Sequence, residues 1–112
     1  MQYLLFICSE PDGEPAPDRD ISAETTAYVE EMNARGVRLD IGAPLRPSHE
    51  AITVRVRNGQ TLLTDGPFAE TREQIAGFDL IECDSLAEAI DVAARSPQAS
   101  FGMVEVRPVW TG

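Results

Sequence analysis

Asn58-Gly59 stands between two runs rich in β-branched and aliphatic residues, Ile52 to Arg57 and Gln60 to Thr64. The dipeptide supplies the positive backbone angles of a type I′ turn, and that turn matches the twist of two antiparallel strands. A β-hairpin in the middle of the chain is therefore the firmest constraint on the fold. Everything on either side has to be arranged around it.

Before the hairpin, Gln2 to Cys8 is a short apolar run that reads as a central strand buried on both faces. Ser9 to Asp18, with three prolines and four acids, is a stiff solvated loop that would also serve as a lid. Ile21, Thr25, Tyr28, Val29 and Met32 follow helical spacing. With Ser22 as N-cap, Glu24 in the first turn and Gly36 at C′, a helix is expected over about 23–35. Val37 to Ala43 alternates as a second strand, ended by Pro44 and Pro47.

After the hairpin, Gly77 to Cys83 is a strand and Ser85-Leu86-Ala87-Glu88 a capping box. Leu86, Ala89, Ile90 and Ala93 would line one face of the second helix, which Ser96-Pro97 ends. Met103 to Val109 is the last strand. Without the hairpin the order is βαββαβ, the ferredoxin-like plan, so the fold class is α+β in one domain over 1–112. Helices would cover one sheet face. The other would carry Phe78, Leu80 and Glu82, with Arg55, Arg57, Glu105 and Arg107 by the same alternation. Such a face, with apolar residues and both charge signs, has two readings: a solvated surface, or pairing with a second sheet.

Charge excludes several functions. The net charge is −10, and all nine cationic residues are arginine. Nucleic acid and anionic membranes are poor partners for such a chain. Without lysine there is no Schiff-base chemistry. One histidine, His49, and two cysteines outside any CxxC pair do not make a zinc site. No cofactor or metal is expected. With no signal peptide or membrane span, the expected location is the cytoplasm. Cys8 and Cys83 end strands read as parallel neighbours, which would bring their sulfurs near each other. Buried, inert thiols are the favoured reading.

The densest polar stretch follows the hairpin: Asp65-Gly66-Pro67-Phe68-Ala69-Glu70-Thr71-Arg72-Glu73-Gln74. Gly66 before Pro67 forces a particular turn, and Phe68 can anchor it. Asp65 then has two readings. It accepts hydrogen bonds from the turn amides, or it is an acid/base whose pKa is raised beside Phe68, with Glu70 assisting. In the second reading Arg72 grips an anionic substrate, and Phe68 and Gln74 contact it. Thr71 to Gln74 also has capping-box form.

Asp65 to Gln74, Ala76-Gly77-Phe78, Leu80-Ile81-Glu82, Thr53 to Arg57 and Val104 to Pro108 together resemble the DGPF group of the YCII-related proteins. The likeness spans nearly the whole chain and is weakest over 10–19. It implies a dimeric α+β barrel of two ferredoxin-like sheets in a bacterial cytoplasmic protein. Related members are linked to enzyme activity through a His–Asp pair in a pocket. Here His49 lies in a loop rather than on the first helix, so that pair does not carry over. The resemblance leaves two functions open. One is a dimeric small-molecule-binding domain acting as a cofactor-free lyase or isomerase. The alternative is a regulatory module associated with an extracytoplasmic-function sigma factor, whose genes often neighbour this branch.

Overall fold

The structure is a computed structural model that describes residues 1–9, 20–66 and 74–111. Strand β1 (Gln2–Ser9) runs between β5 (Gln74–Glu82) and β6 (Met103–Pro108), and β2 (Arg38–Pro44) pairs with the far side of β5. Every pairing in this β2-β5-β1-β6 sheet is antiparallel. This is the ferredoxin-like α+β arrangement expected from the element order. Helices α1 (Ser22–Ala34) and α2 (Leu86–Arg95) follow β1 and β5. Strands β3 (Ile52–Arg57) and β4 (Gln60–Asp65) form a separate two-stranded sheet. Asn58 and Gly59, with φ of 52° and 76°, make the turn between them.

The core lies where the helices meet the sheet. Leu5 and Ile81 from the strands, Met32 from α1 and Val92 from α2 are fully buried. Each such side chain contributes about 1.5–3 kcal/mol relative to exposure. Tyr3, Tyr28, Val37 and Ala89 complete the layer. The alternation of β1 decides its two faces. Tyr3 and Leu5 are buried against the helices, while Leu4 and Phe6 on the opposite face are only half-buried. β1 is thus central but not buried on both faces.

Helix starts follow local chemistry. Ser85 accepts the Glu88 amide at 3.1 Å, and Glu88 reaches back to the Asp84 amide at 3.0 Å. At α1 the capping oxygen comes from Asp20 rather than Ser22. It takes the Ser22 amide at 2.8 Å and the Ser22 hydroxyl, and these bonds hold its carboxyl below the ordinary value. Among the described residues no helix is long and apolar enough to cross a membrane.

Three further expectations need correction. The buried stripe of α2 is Ala89, Val92 and Ala93, while Leu86 and Ile90 stand about half exposed. Helical spacing alone leaves the stripe's angular position open, and packing sets it. Arg55 and Arg57 do not lie on the open face of the main sheet, because the hairpin does not join that sheet. Cys8 and Cys83 are at opposite ends of an antiparallel pair, since Gln2 faces Glu82 and Cys8 faces Ile75. Strands joined through a βαβ unit here flank β1 in the reverse direction, so the two sulfurs are kept apart.

Candidate functional site

A cleft of about 290 Å³ opens between α1 and the sheet. Its floor is Ile7 of β1 and Ala76 to Asp79 of β5; Gly42 to Pro44 of β2 form one wall, and Thr25, Tyr28 and Val29 of α1 the other. Ser96 and Gln98, at the 3-10 turn over Pro97–Ser100, close one end. Clefts of this size suit a small molecule rather than a polymer.

One ion pair gives the cleft its chemistry. Asp79 faces the helices because Leu5, its partner across the ladder, does so. Its carboxylate meets the Nη2 of Arg38 from β2, and the two side chains are only 12% and 16% exposed. The backbone makes this approach possible. The β2–β5 register slips between Arg38, opposite Ile81, and Gly42, opposite Asp79. A Cβ at Gly42 would stand 2.6 Å from the Phe78 carbonyl oxygen and collide with the Asp79 carboxylate. Only glycine leaves room for the carboxylate there.

Electrostatics follow from burial. Desolvation pushes the Asp79 carboxyl above its ordinary value, and the charge and hydrogen bond of Arg38 offset this only in part. The Tyr28 phenol is pushed up to about 12, first by burial and then by the charge of Asp79. Its hydroxyl donates to the Val92 carbonyl of α2 at 3.0 Å. Tyr28 is therefore a neutral wall that ties the two helices together, not a proton donor to the cleft. Arg38 Nε is buried with no hydrogen-bond partner, an unusual state for a guanidinium donor. At the far end the Ser96 hydroxyl donates to the Gln98 side-chain carbonyl at 2.8 Å.

The residues singled out from sequence fall elsewhere. Asp65 ends β4 opposite Ile52 and is exposed; it does not line the cleft. Gly66, at φ +96°, donates its amide to the Ala51 carbonyl at 2.7 Å, and its carbonyl accepts the Thr53 hydroxyl at 2.8 Å. The start of the turn is thus tied to the β3 side of the hairpin. Pro67, Phe68, Glu70 and Arg72 lie outside the described residues, as does the acidic loop. Gln74 opens β5 opposite Ser9. His49 is exposed in the 3-10 turn over Ser48–Glu50. The Cys83 thiol is pushed up, mainly by burial and then by Glu88, which keeps it protonated. Among the described residues, no group of three or more His, Cys, Asp or Glu is placed to hold a metal.

Arg38, Asp79 and Gly42 were not reached from sequence. One signal was available: if Phe78, Leu80 and Glu82 share the open face, Asp79 must point under the helices. A carboxylate there requires a partner.

Known proteins share this architecture. The structure of 5-chloro-2-hydroxyhydroquinone dehydrochlorinase (TftG) from Burkholderia phenoliruptrix AC1100, in complex with 2,5-dihydroxybenzoquinone, superposes with a TM-score of 0.51. The match covers 100% of this chain and 96% of that one, at 18% identity, and establishes a common fold. An uncharacterized protein of Rhizobium meliloti (strain 1021) is 46% identical over 93 residues, 81% of this chain and 71% of the relative. The model of the YCII-related domain matches residues 1–111, and the chain belongs to that family.

Proposed function

We propose that the cleft between α1 and the sheet binds a small organic molecule and that Asp79 moves a proton on it, as in a cofactor-free lyase or isomerase. The observation that carries this reading is the buried Arg38–Asp79 pair in the wall of a cleft of about 290 Å³. A carboxylate whose proton affinity is raised by burial is suited to general acid–base work. Arg38 would hold the oxyanion that forms when a proton leaves. The dehydrochlorinase supports the size and class of ligand, because its structure holds a small ring compound in the same fold.

The test uses 2,5-dihydroxybenzoquinone. Amide NMR should show Gly42, Ala76 and Gly77 shifting on titration. Exchange of its ring C–H for deuterium should then run faster with protein than in buffer. Shifts confined to the neighbourhood of Asp65, or no shifts, would remove the cleft from consideration. Binding without faster exchange would leave a binding domain with no chemistry.

A rival assignment stays with the turn: Asp65 as acid/base with Glu70 assisting, and Arg72, Phe68 and Gln74 holding the substrate. The density of ionisable residues from Asp65 to Gln74 supports it, and Asp65→Asn separates it from the cleft reading.

We also propose a homodimer built as an α+β barrel. Leu4, Phe6, Phe78 and Leu80 leave a half-buried apolar face opposite the helices. Arg107 lies 5.4 Å from the Phe6 ring centroid and pairs with Glu105 at 2.6 Å on that face. On the hairpin, Ile52, Val54, Val56 and Leu63 share one face and are 63%, 59%, 58% and 67% exposed. Exposed apolar surface of this kind suits an interaction with another chain. Light scattering should give a mass near twice 12.2 kDa; a monomer at every concentration would sink the idea. A regulatory module serving a sigma factor would use the same surface for a protein partner. Pull-down with the neighbouring sigma factor tests that alternative.

A further inference from the structure

We infer that the ligand of the cleft is a small ring compound bearing one anionic oxygen group, a carboxylate or enolate. It docks on the Arg38 guanidinium, and Asp79 takes up a proton as the ligand binds. This inference rests on the cleft being a small-molecule site and names the class of molecule and the charge balance.

The first argument is donor supply. A guanidinium has five N–H donors. Among the described residues Arg38 engages one partner, Asp79, through Nη2, and its Nε is buried without any. A fork with unused donors at the wall of a cleft matches a planar anion, which it can hold through two bonds.

The second argument is charge. Arg38 and Asp79 are the only charged residues among the described ones lining the cleft. The empty pair is neutral, so an anionic ligand brings an uncompensated negative charge. Among the described residues, the groups around Asp79 offer no second cation. From β1 it meets Leu5, from β2 Gly42 and Arg38, and from α1 Tyr28, whose hydroxyl is spent on Val92. Arg35, at the end of α1, is engaged by Glu88 and Asp91 of α2. Two carboxylates on one desolvated guanidinium leave a net negative charge out of water, which favours a proton on one of them. Asp79 is the one enclosed by the fold, and burial already favours its neutral form.

The third argument is shape. Ala76 and Asp79 are three residues apart on one strand, which spans about 10 Å. The cleft follows that length from the ion pair to the uncharged Ser96 and Gln98, with Ile7, Val29 and Pro44 between. An anion at one end, an apolar ring in the middle and a hydrogen-bonding group at the far end fit this order.

Benzoate and its uncharged counterpart benzamide test the inference by calorimetry, in buffers of different ionisation heat and over a range of pH. Benzoate should bind at least about tenfold more tightly than benzamide. Its Kd should fall about tenfold for each unit decrease in pH while Asp79 is ionised in the free protein and protonated in the complex, with uptake of one proton. At lower pH, where Asp79 is protonated in both states, the Kd counted per benzoate anion should stop changing. Asp79→Asn should keep tight benzoate binding and lose the proton uptake. Arg38→Gln should lose the preference for benzoate, and Arg38→Lys, which keeps the charge without the fork, should retain part of it. Equal affinity for the two probes, or proton uptake that persists in Asp79→Asn, would overturn the inference and leave the cleft a binding site. Failure to bind benzoate, benzamide and 2,5-dihydroxybenzoquinone alike would overturn both.

Discussion

Asp65 ends β4 and Asp79 lies within the next strand, β5, and they meet opposite environments. Asp65 stands exposed at the tip of β4, on a hairpin that contributes nothing to the main sheet. Asp79 lies beneath α1, paired with Arg38 and packed against a glycine that makes room for it. The first sits in the densest motif of the sequence, the second in an unremarked apolar strand. A single carboxylate held out of water marks a place where protonation is under the control of the fold.

The largest test of this contrast is steric. Gly42→Val puts a side chain where the Asp79 carboxylate and the Phe78 carbonyl already are, and should cost about 3 kcal/mol in urea unfolding. Gly66→Ala has open space around its Cβ and only the φ of +96° against it, so about 1 kcal/mol is expected. Equal costs would mean that β2 shifts freely and that Asp79 is not tightly seated.

Charge comes next. Arg38→Met alone strands the Asp79 carboxylate and should destabilise by about 3 kcal/mol. The double variant Arg38→Met/Asp79→Leu should return to within about 1 kcal/mol of the parent, because two desolvated charges are replaced by apolar contact. A double variant as unstable as the single would show that the pair matters for packing rather than charge. The double variant should also lose benzoate.

Chemistry separates the two aspartates directly. Asp79→Asn should slow protein-accelerated deuterium exchange on 2,5-dihydroxybenzoquinone by about a hundredfold. Asp65→Asn should leave the rate unchanged. The reverse result would move the chemistry to the turn.

The smallest effect is on stability against pH. Asp79 binds its proton more tightly in the folded chain than at the ordinary value of 3.8, because burial outweighs Arg38. Its ionisation therefore takes stability away, in full at pH above the raised folded value. The loss shrinks as pH falls through that value and is gone below 3.8. Wild type should gain stability over Asp79→Asn on acidification through this window, as read by thermal melts. A relative loss would show that the attraction of Arg38 is the stronger force.

Much of the fold was legible because its signals are local. Asn58-Gly59 gave the hairpin, Ser85 and Glu88 the start of α2, and alternation the residues sharing each strand face. The site was less legible. Parity in β5 is enough to put Asp79 on the covered face once Phe78, Leu80 and Glu82 share the other, but that step was not taken. Nothing in the chain says which of nine arginines answers it. Turn chemistry drew attention to Asp65 instead, since Gly-Pro punctuation is visible at a glance and burial is not.

The sequence by itself determined the order of strands and helices, the hairpin and the family, since turn dihedrals, caps and side-chain period depend on neighbours along the chain. Only the tertiary structure decided that β1 and β5 run antiparallel, which separates Cys8 from Cys83. It alone kept the hairpin out of the main sheet. It also brought Arg38 to Asp79 across 41 residues, through a slipped register that depends on Gly42. Pairing partners, register and burial are set by how distant segments exclude water together, and no local pattern encodes them.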